Sequence, residues 1–283
     1  MKSVCINLGC GSRIHPDWRN LDVNPYVGGV ESWKASEGIP AASQSVDVVY
    51  HSHLLEHLQQ EEGEDLIQEC LRVLKPEGIL RIVVPDLERI CRDYLSTLKE
   101  VEQGTEYAQL NANWMRLELF DQMTRRVSGG KMLQFLKSNP DNRDFLIKRC
   151  GKEVIPTLTP NSTKPQSAPT VQLIPLHLKF KQLLKNFLNL SWHKEKLLKA
   201  VLSNSDYEAL HCGRFTQSGE LHKHMYDRVS LIELLNNVGF TKCSIQSHLS
   251  SFITDWKEFH LDNTESGEPR KPDSLYLDAI KPK

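Results

Sequence analysis

Long apolar runs are missing from this 283-residue sequence. No stretch approaches the roughly 20 apolar residues that a membrane-crossing helix needs, and MKSVCINLGCGS turns to glycine too soon to read as a secretory signal. Net charge is also nearly missing: 35 Lys and Arg stand against 36 Asp and Glu, a formal −1. That balance argues against the basic field of a nucleic-acid-binding protein. The seven cysteines never form a C-x-x-C pair, which argues against a disulfide framework or a thiolate zinc site and points to a reducing, cytoplasmic setting. Internal repeats are absent. What is present, 39% hydrophobic and 25% charged residues, suffices for a full core in one large domain or one domain with an insertion.

The chain alternates short apolar runs with helical or turn segments over its first 90 residues. The β-branched run at residues 3–8 stops at Gly9 and reads as a buried strand feeding a tight turn. Further strands are expected at 18–23, 29–33, 46–51 and 79–84, with a helix over 54–74 closed by Lys75-Pro76-Glu77-Gly78. Such alternation predicts an α/β fold with a parallel sheet wound by right-handed crossovers. Regularity resumes at SLIELLNNVGF, a short helix closed by Gly239, followed by strands at 241–248 and 274–280. The sheet is therefore expected to be built from residues 1–87 and 221–283. Residues 88–220 would form an inserted, largely helical cap with a mobile Pro/Ser/Thr-rich loop at 153–175. The basic helical stretch 177–200 reads most simply as a solvated face, and more sharply as a weak peripheral membrane contact.

Gly9-Cys10-Gly11 after the first strand lets the chain turn sharply and brings backbone N–H groups close to a ligand. Asp22, at the end of the next strand, offers a carboxylate to both hydroxyls of a ribose. The plain alternative is a tight turn with a capping acid. Ile14 replaces the third glycine of the dinucleotide fingerprint, which disfavours a nicotinamide or flavin oxidoreductase.

INLGCGSRIHPDWRNLDVNP, VDVVYHSHLLEHL and LRVLKPEGILRIVVPDLE, in this order, resemble motifs I to III of class I S-adenosylmethionine-dependent methyltransferases of the type 11 group. LIELLNNVGFTKCSIQSH resembles the last helix and strand of that fold. The resemblance covers about half the chain and implies a Rossmann-like, seven-stranded, mostly parallel sheet with an antiparallel last strand, the cap lying between strand 5 and the last helix. It implies S-adenosylmethionine as cofactor, with Gly9, Cys10 and Gly11 under its methionine and ribose, Asp22 on the ribose diol, and His51, Ser52 and His53 at the sulfonium end. Asn7 stands where an acid more often supports the loop, and Lys34 where an acid often helps hold adenine. LELFDQMTRRVSGGKM and GELHKHMYDRVSLIELL resemble a bacterial subgroup found beside glycan and secondary-metabolite genes.

Methyl transfer is an in-line displacement that depends chiefly on alignment, and a hydroxyl acceptor is helped by a base, for which histidine suits neutral pH. His53, His57, His222 and Tyr226 are the candidates for that role. The segment at 53–57 also resembles the Glu-x-x-Glu-His of magnesium-assisted methyltransferases with His53 in the first position. Hard cations prefer oxygen ligands, so the expectation is no metal, with His53, Glu56, His57 and His222 as the set that would hold one. The acceptor expected is a small molecule or glycan, through oxygen or nitrogen, and not nucleic acid. The alternative is a catalytically silent S-adenosylmethionine-binding regulatory protein of the same fold.

Overall fold

The computed structural model describes residues 3–25, 27–158 and 190–283. Seven strands form one sheet: β1 Cys5–Leu8, β2 Arg19–Asp22, β3 Val30–Ser32, β4 Val46–Ser52, β5 Leu74–Pro85, β6 Thr241–Gln246 and β7 Ser274–Ile280. Their order is β3-β2-β1-β4-β5-β7-β6. The first five run parallel, and β7 is antiparallel to both neighbours, β5 and β6. This is the expected sheet, and it places β1 inside, between β2 and β4, where all four of its residues are buried as a strand covered on both faces must be.

The strand parity divides the core. Leu8, Val49, Ile82, Val84 and Leu277 pack on one face against helices α1 Gln60–Val73 and, after the cap, Arg228–Val238. Val48, Tyr50, Val83 and Tyr276 face the other way, onto Trp18, Trp256 and Leu261. On this second face the long connection between β6 and β7 takes the place of a helix layer. It carries a buried ionic knot: Arg81 of β5 donates Nε to Asp262 at 2.8 Å, Nη1 to Asp278 of β7 at 2.9 Å, and Nη1 and Nη2 to the carbonyls of Ser250 and Ser247.

Two local expectations differ. The helix read over 54–74 is broken: Leu55–His57 is a single 3-10 turn, and α1 starts only at Gln60. The Lys75-Pro76-Glu77-Gly78 sequence does not end the element before strand 5. It is the irregular first part of β5, where Glu77 takes a left-handed conformation and the register against β4 shifts.

The insertion is helical, as expected: α2 Leu87–Glu102, α3 Ala108–Thr124, α4 Gly130–Lys137, α5 Arg143–Cys150 and the short α6 Ile155–Leu158, then α7 Leu190–Val201 and α8 Asn204–Thr216, with Arg228–Val238 as α9. Ile90, Trp114, Met115, Leu146, Val154 and Leu158 form its core. Phe120 and Met123 of α3 lie exposed on its outer side. Of the loop expected at 153–175, Glu153 lies in the 3-10 turn Lys152–Val154 and 155–158 is helical; the remainder, like residues 177–189 of the basic stretch, lies outside the described residues. Among the described residues no helix is long and apolar enough to cross a membrane.

Candidate active site

The site begins where β1 stops. Gly9 and Gly11 have φ of 62° and 51°, left-handed values that cost a side chain roughly 1–2 kcal/mol. A Cβ on Gly9 would also press within 3.1 Å of the Leu54 side chain. Asn7, buried beneath the turn, donates Nδ2 to the Arg13 carbonyl at 2.7 Å and to Asn20 Oδ1 at 3.1 Å, so the amide fixes the loop that an acid more often supports. Asp22 accepts the Gly11 N–H at 2.8 Å through Oδ2 and the Asn24 N–H at 2.9 Å through Oδ1. The capping reading of this acid therefore holds, and each carboxylate oxygen still has a lone pair for a hydroxyl.

Two cavities meet at Gly9. One, of about 530 Å³, is walled by Asp22, Val23, Lys34, Leu58 and His57, with Lys223 opposite. The other, of about 260 Å³, is walled by Asn7, Cys10, Gly11, Ser52 and His53, with Arg13 and Arg270. A ligand with a hydroxylated, partly apolar end and an amino-acid end fits this pair, with the glycine turn under its middle. The residues expected to hold the cofactor thus come together except His51, which is fully buried and lines neither cavity. Burial pulls its pKa down to about 4. Cys10 reaches the smaller cavity as an inert thiol, raised to about 11 by burial and by the Asp22 charge. Gly9→Ala is expected to weaken S-adenosylhomocysteine binding at least tenfold in calorimetry, because the methyl group both strains the turn and narrows the join between the cavities.

Sequence reasoning missed the apolar side of the larger cavity. Val23 is 53% exposed, and an exposed valine directly after the acid was the available signal. Lys34 does line this cavity, so the position where an acid often helps hold adenine presents a cation here.

The histidines converge through a 3-10 turn and a contact from the end of the cap, not along the helix expected over 54–74. His53 sits at φ 53° just past β4, and its Nδ1 approaches Glu56 Oε1 at 3.0 Å while Nε2 meets Ser274 Oγ at 2.9 Å. Glu56 is fully buried in the 3-10 turn. Burial alone would raise its carboxyl, yet the rings of His53, His57 and His222 hold it down, at about 2. His222 arrives from the end of the cap because Lys223 and His224 donate their N–H groups to the Glu56 carbonyl, at 2.7 and 3.3 Å. Its ring stands edge-on to His57 with centroids 4.8 Å apart, and burial lowers its pKa to about 4. His57 turns Nδ1 to the Leu221 carbonyl at 3.2 Å and is the ring of this group that lines the larger cavity. Tyr226 is buried beside His224 and lines neither cavity; its hydroxyl, raised to about 12 by burial and by Glu56, finds no hydrogen-bond partner among the described residues.

Residues 26–82 match the family model described as "Methyltransferase domain". No curated protein matches the chain. Among solved structures, a SAM-dependent methyltransferase from Archaeoglobus fulgidus is 12% identical, covers 99% of this chain and 86% of its own, and superposes with a TM-score of 0.39. One from Aquifex aeolicus is 18% identical over 30% of this chain and 57% of its own, at 0.24, and a TehB-like one from Corynebacterium glutamicum is 17% identical over 30% and 55%, at 0.26. Likenesses this slight add nothing to the topology. The family match falls on the segment that runs from before β3 into β5, within the sheet of order β3-β2-β1-β4-β5-β7-β6.

Proposed function

We propose that the protein transfers a methyl group from S-adenosylmethionine to an oxygen or nitrogen of a small-molecule or glycan-type acceptor. One observation carries this reading: the cavity that holds Asp22 on one wall holds His57, backed by Glu56 and His222, on another. Cofactor seat and proton-handling group thus share one space. When bound, the cofactor supplies a methyl carbon whose bond to sulfur breaks, the pair staying on sulfur, as the acceptor's lone pair forms the new bond. Asp22 fixes the ribose, the glycine turn lets the backbone approach, and Val23 and Leu58 exclude water from the base. His57, with Nδ1 engaged by the Leu221 carbonyl, has Nε2 free to take the acceptor's proton, and the Glu56 carboxylate stabilises the imidazolium that results. His53, His222 and Tyr226 act through Glu56 and the packing around it.

Calorimetry with S-adenosylmethionine and S-adenosylhomocysteine tests the cofactor half. Micromolar binding is expected, weakened by about 1–3 kcal/mol in Asp22→Ala, as losing a charged hydrogen-bond partner would do. Binding of neither ligand would sink the reading. Turnover distinguishes an enzyme from a silent binding protein: His57→Gln should keep cofactor affinity and lose about 10²- to 10⁴-fold in rate once an acceptor is found by screening.

A second reading is favoured by the convergence of Glu56, His57 and His222, whose ligand atoms lie within 4.8 Å of one another. The carbonyl bond at His57 Nδ1 is the arrangement that orients a metal-binding imidazole. These three residues would hold a divalent cation, and two imidazoles with one carboxylate suit a first-row transition ion better than magnesium. Such an ion would supply Lewis acidity toward the acceptor. A chelator-treated sample should then melt higher on adding one equivalent of zinc or manganese, and Glu56→Gln should abolish the rise.

A further inference from the structure

The smaller cavity contains cations that the methyltransferase reading has not used. Arg13 leaves the glycine loop and Arg270 enters from the β6–β7 connection, and both line this space. Burial and the nearby Arg13 charge both disfavour the Arg270 cation, so two guanidiniums this close call for an anion between them. The anion present is Glu153, from the cap. Its Oε1 pairs with Arg13 Nη2 and lies 3.7 Å from Arg270 Nη1. The approach is built in: Gly151, left-handed at φ 81°, lies so near the Arg270 carbonyl that a Cβ would come within 2.6 Å of it. Only glycine allows the Lys152–Val154 turn to dock there and lay Glu153 over the cavity.

We propose that Arg13 and Arg270 form the seat for the α-carboxylate of the cofactor, and that Glu153 occupies this seat until the cofactor's own carboxylate displaces it. The inference rests on the cofactor reading and deepens it, because it fixes the ligand's direction. Asp22 selects hydroxyls at one end of the joined cavities and the arginines select an anion at the other, so the glycine turn passes beneath the middle of the ligand. Guanidinium forks suit a carboxylate better than a lysine does. The exchange swaps one carboxylate for another, so no charge is left unpaired in the cavity, and Glu153 returns to solvent at the cap surface, where it is already 40% exposed.

The test compares S-adenosylhomocysteine with its decarboxylated analogue by calorimetry on the full chain. Wild type should bind the carboxylate-bearing ligand about tenfold to hundredfold more tightly, the range of a charge-assisted pair. Arg13→Gln and Arg270→Gln should each remove most of that preference while leaving the decarboxylated ligand's affinity unchanged. Glu153→Gln should tighten S-adenosylhomocysteine several-fold, because the competing anion is gone. Thermal melting of each variant checks that the fold is intact. Weaker binding by Glu153→Gln would overturn the proposal and make Glu153 a partner of the cofactor's ammonium group instead. Equal loss of both ligands in the arginine variants would also overturn it, because the arginines would then only support the loop. Equal affinity for both ligands in the wild type removes the seat alone, whereas binding of neither removes the cofactor reading.

Discussion

Arg81→Ala is expected to lower stability by about 3–5 kcal/mol, a drop of roughly 10 °C in melting temperature for a chain of this size. The reason is what the substitution leaves behind. Asp262 and Asp278 are 3% and 0% exposed and lose their common partner. Burial already pushes the Asp262 carboxyl up even with Arg81 beside it. Two serine carbonyls lose their donors as well, and the guanidinium's stacking on Trp256, 4.5 Å from the ring centre, is lost too. Arg81→Lys keeps the charge without the fork and should fall in between. Denaturant titration followed by tryptophan fluorescence measures this directly, since Trp18 and Trp256 line the same face. A loss under about 1 kcal/mol would show that the knot adds nothing beyond filling space.

The second large effect is acid sensitivity. His51 and His222 are held down from an ordinary 6.5 to about 4, so between those values the unfolded chain takes up protons that the folded chain refuses. Stability is then full above pH 6.5 and falls as pH drops toward 4, by up to about 2–3 kcal/mol per pH unit when both rings contribute. Below 4.5 the depressed Glu56 carboxyl adds to the loss, again because the unfolded chain binds the proton first. Chemical denaturation at pH 7.5, 6.5, 5.5 and 4.5, with a chelator present, should give a steepening decline that His51→Asn reduces by roughly half. A flat profile down to pH 5 would mean that these rings are already charged and paired in the native protein.

The sheet was readable because each strand carried its own signal. The β-branched run before Gly9, the acid after the second run and the apolar runs ending at Ser52 and Pro85 are local features, and parallel strands buried on both faces read as continuous apolar segments. The glycine turn and Asp22 were legible for the same reason. The histidines stand out in the sequence by residue type, but their convergence does not: the chain breaks into a 3-10 turn at Leu55–His57, and the backbone bonds from Lys223 and His224 to Glu56 bring His222 in. Those bonds join positions more than 160 residues apart, which no local pattern encodes. The ionic knot could have been suspected. Arg81 is the one charge in the apolar run 79–84 and Asp278 the one charge in β7, and they are direct partners across β5 and β7. The Arg13–Glu153 contact left no such trace, because both residues look like ordinary surface charges.

Arg81 and Asp278 are 197 positions apart, and that separation has a consequence for the protein as it is made. At a synthesis rate of about 5–20 residues per second, the ribosome needs on the order of 10–40 s to deliver β7 after β5 has emerged. Throughout that interval β5 is an open edge of valines and isoleucines, the kind of strand that recruits neighbours into aggregates. An unneutralised arginine in the middle of that strand is the charge that discourages such pairing. The two acids that pair with it arrive last and close the edge that had stood open.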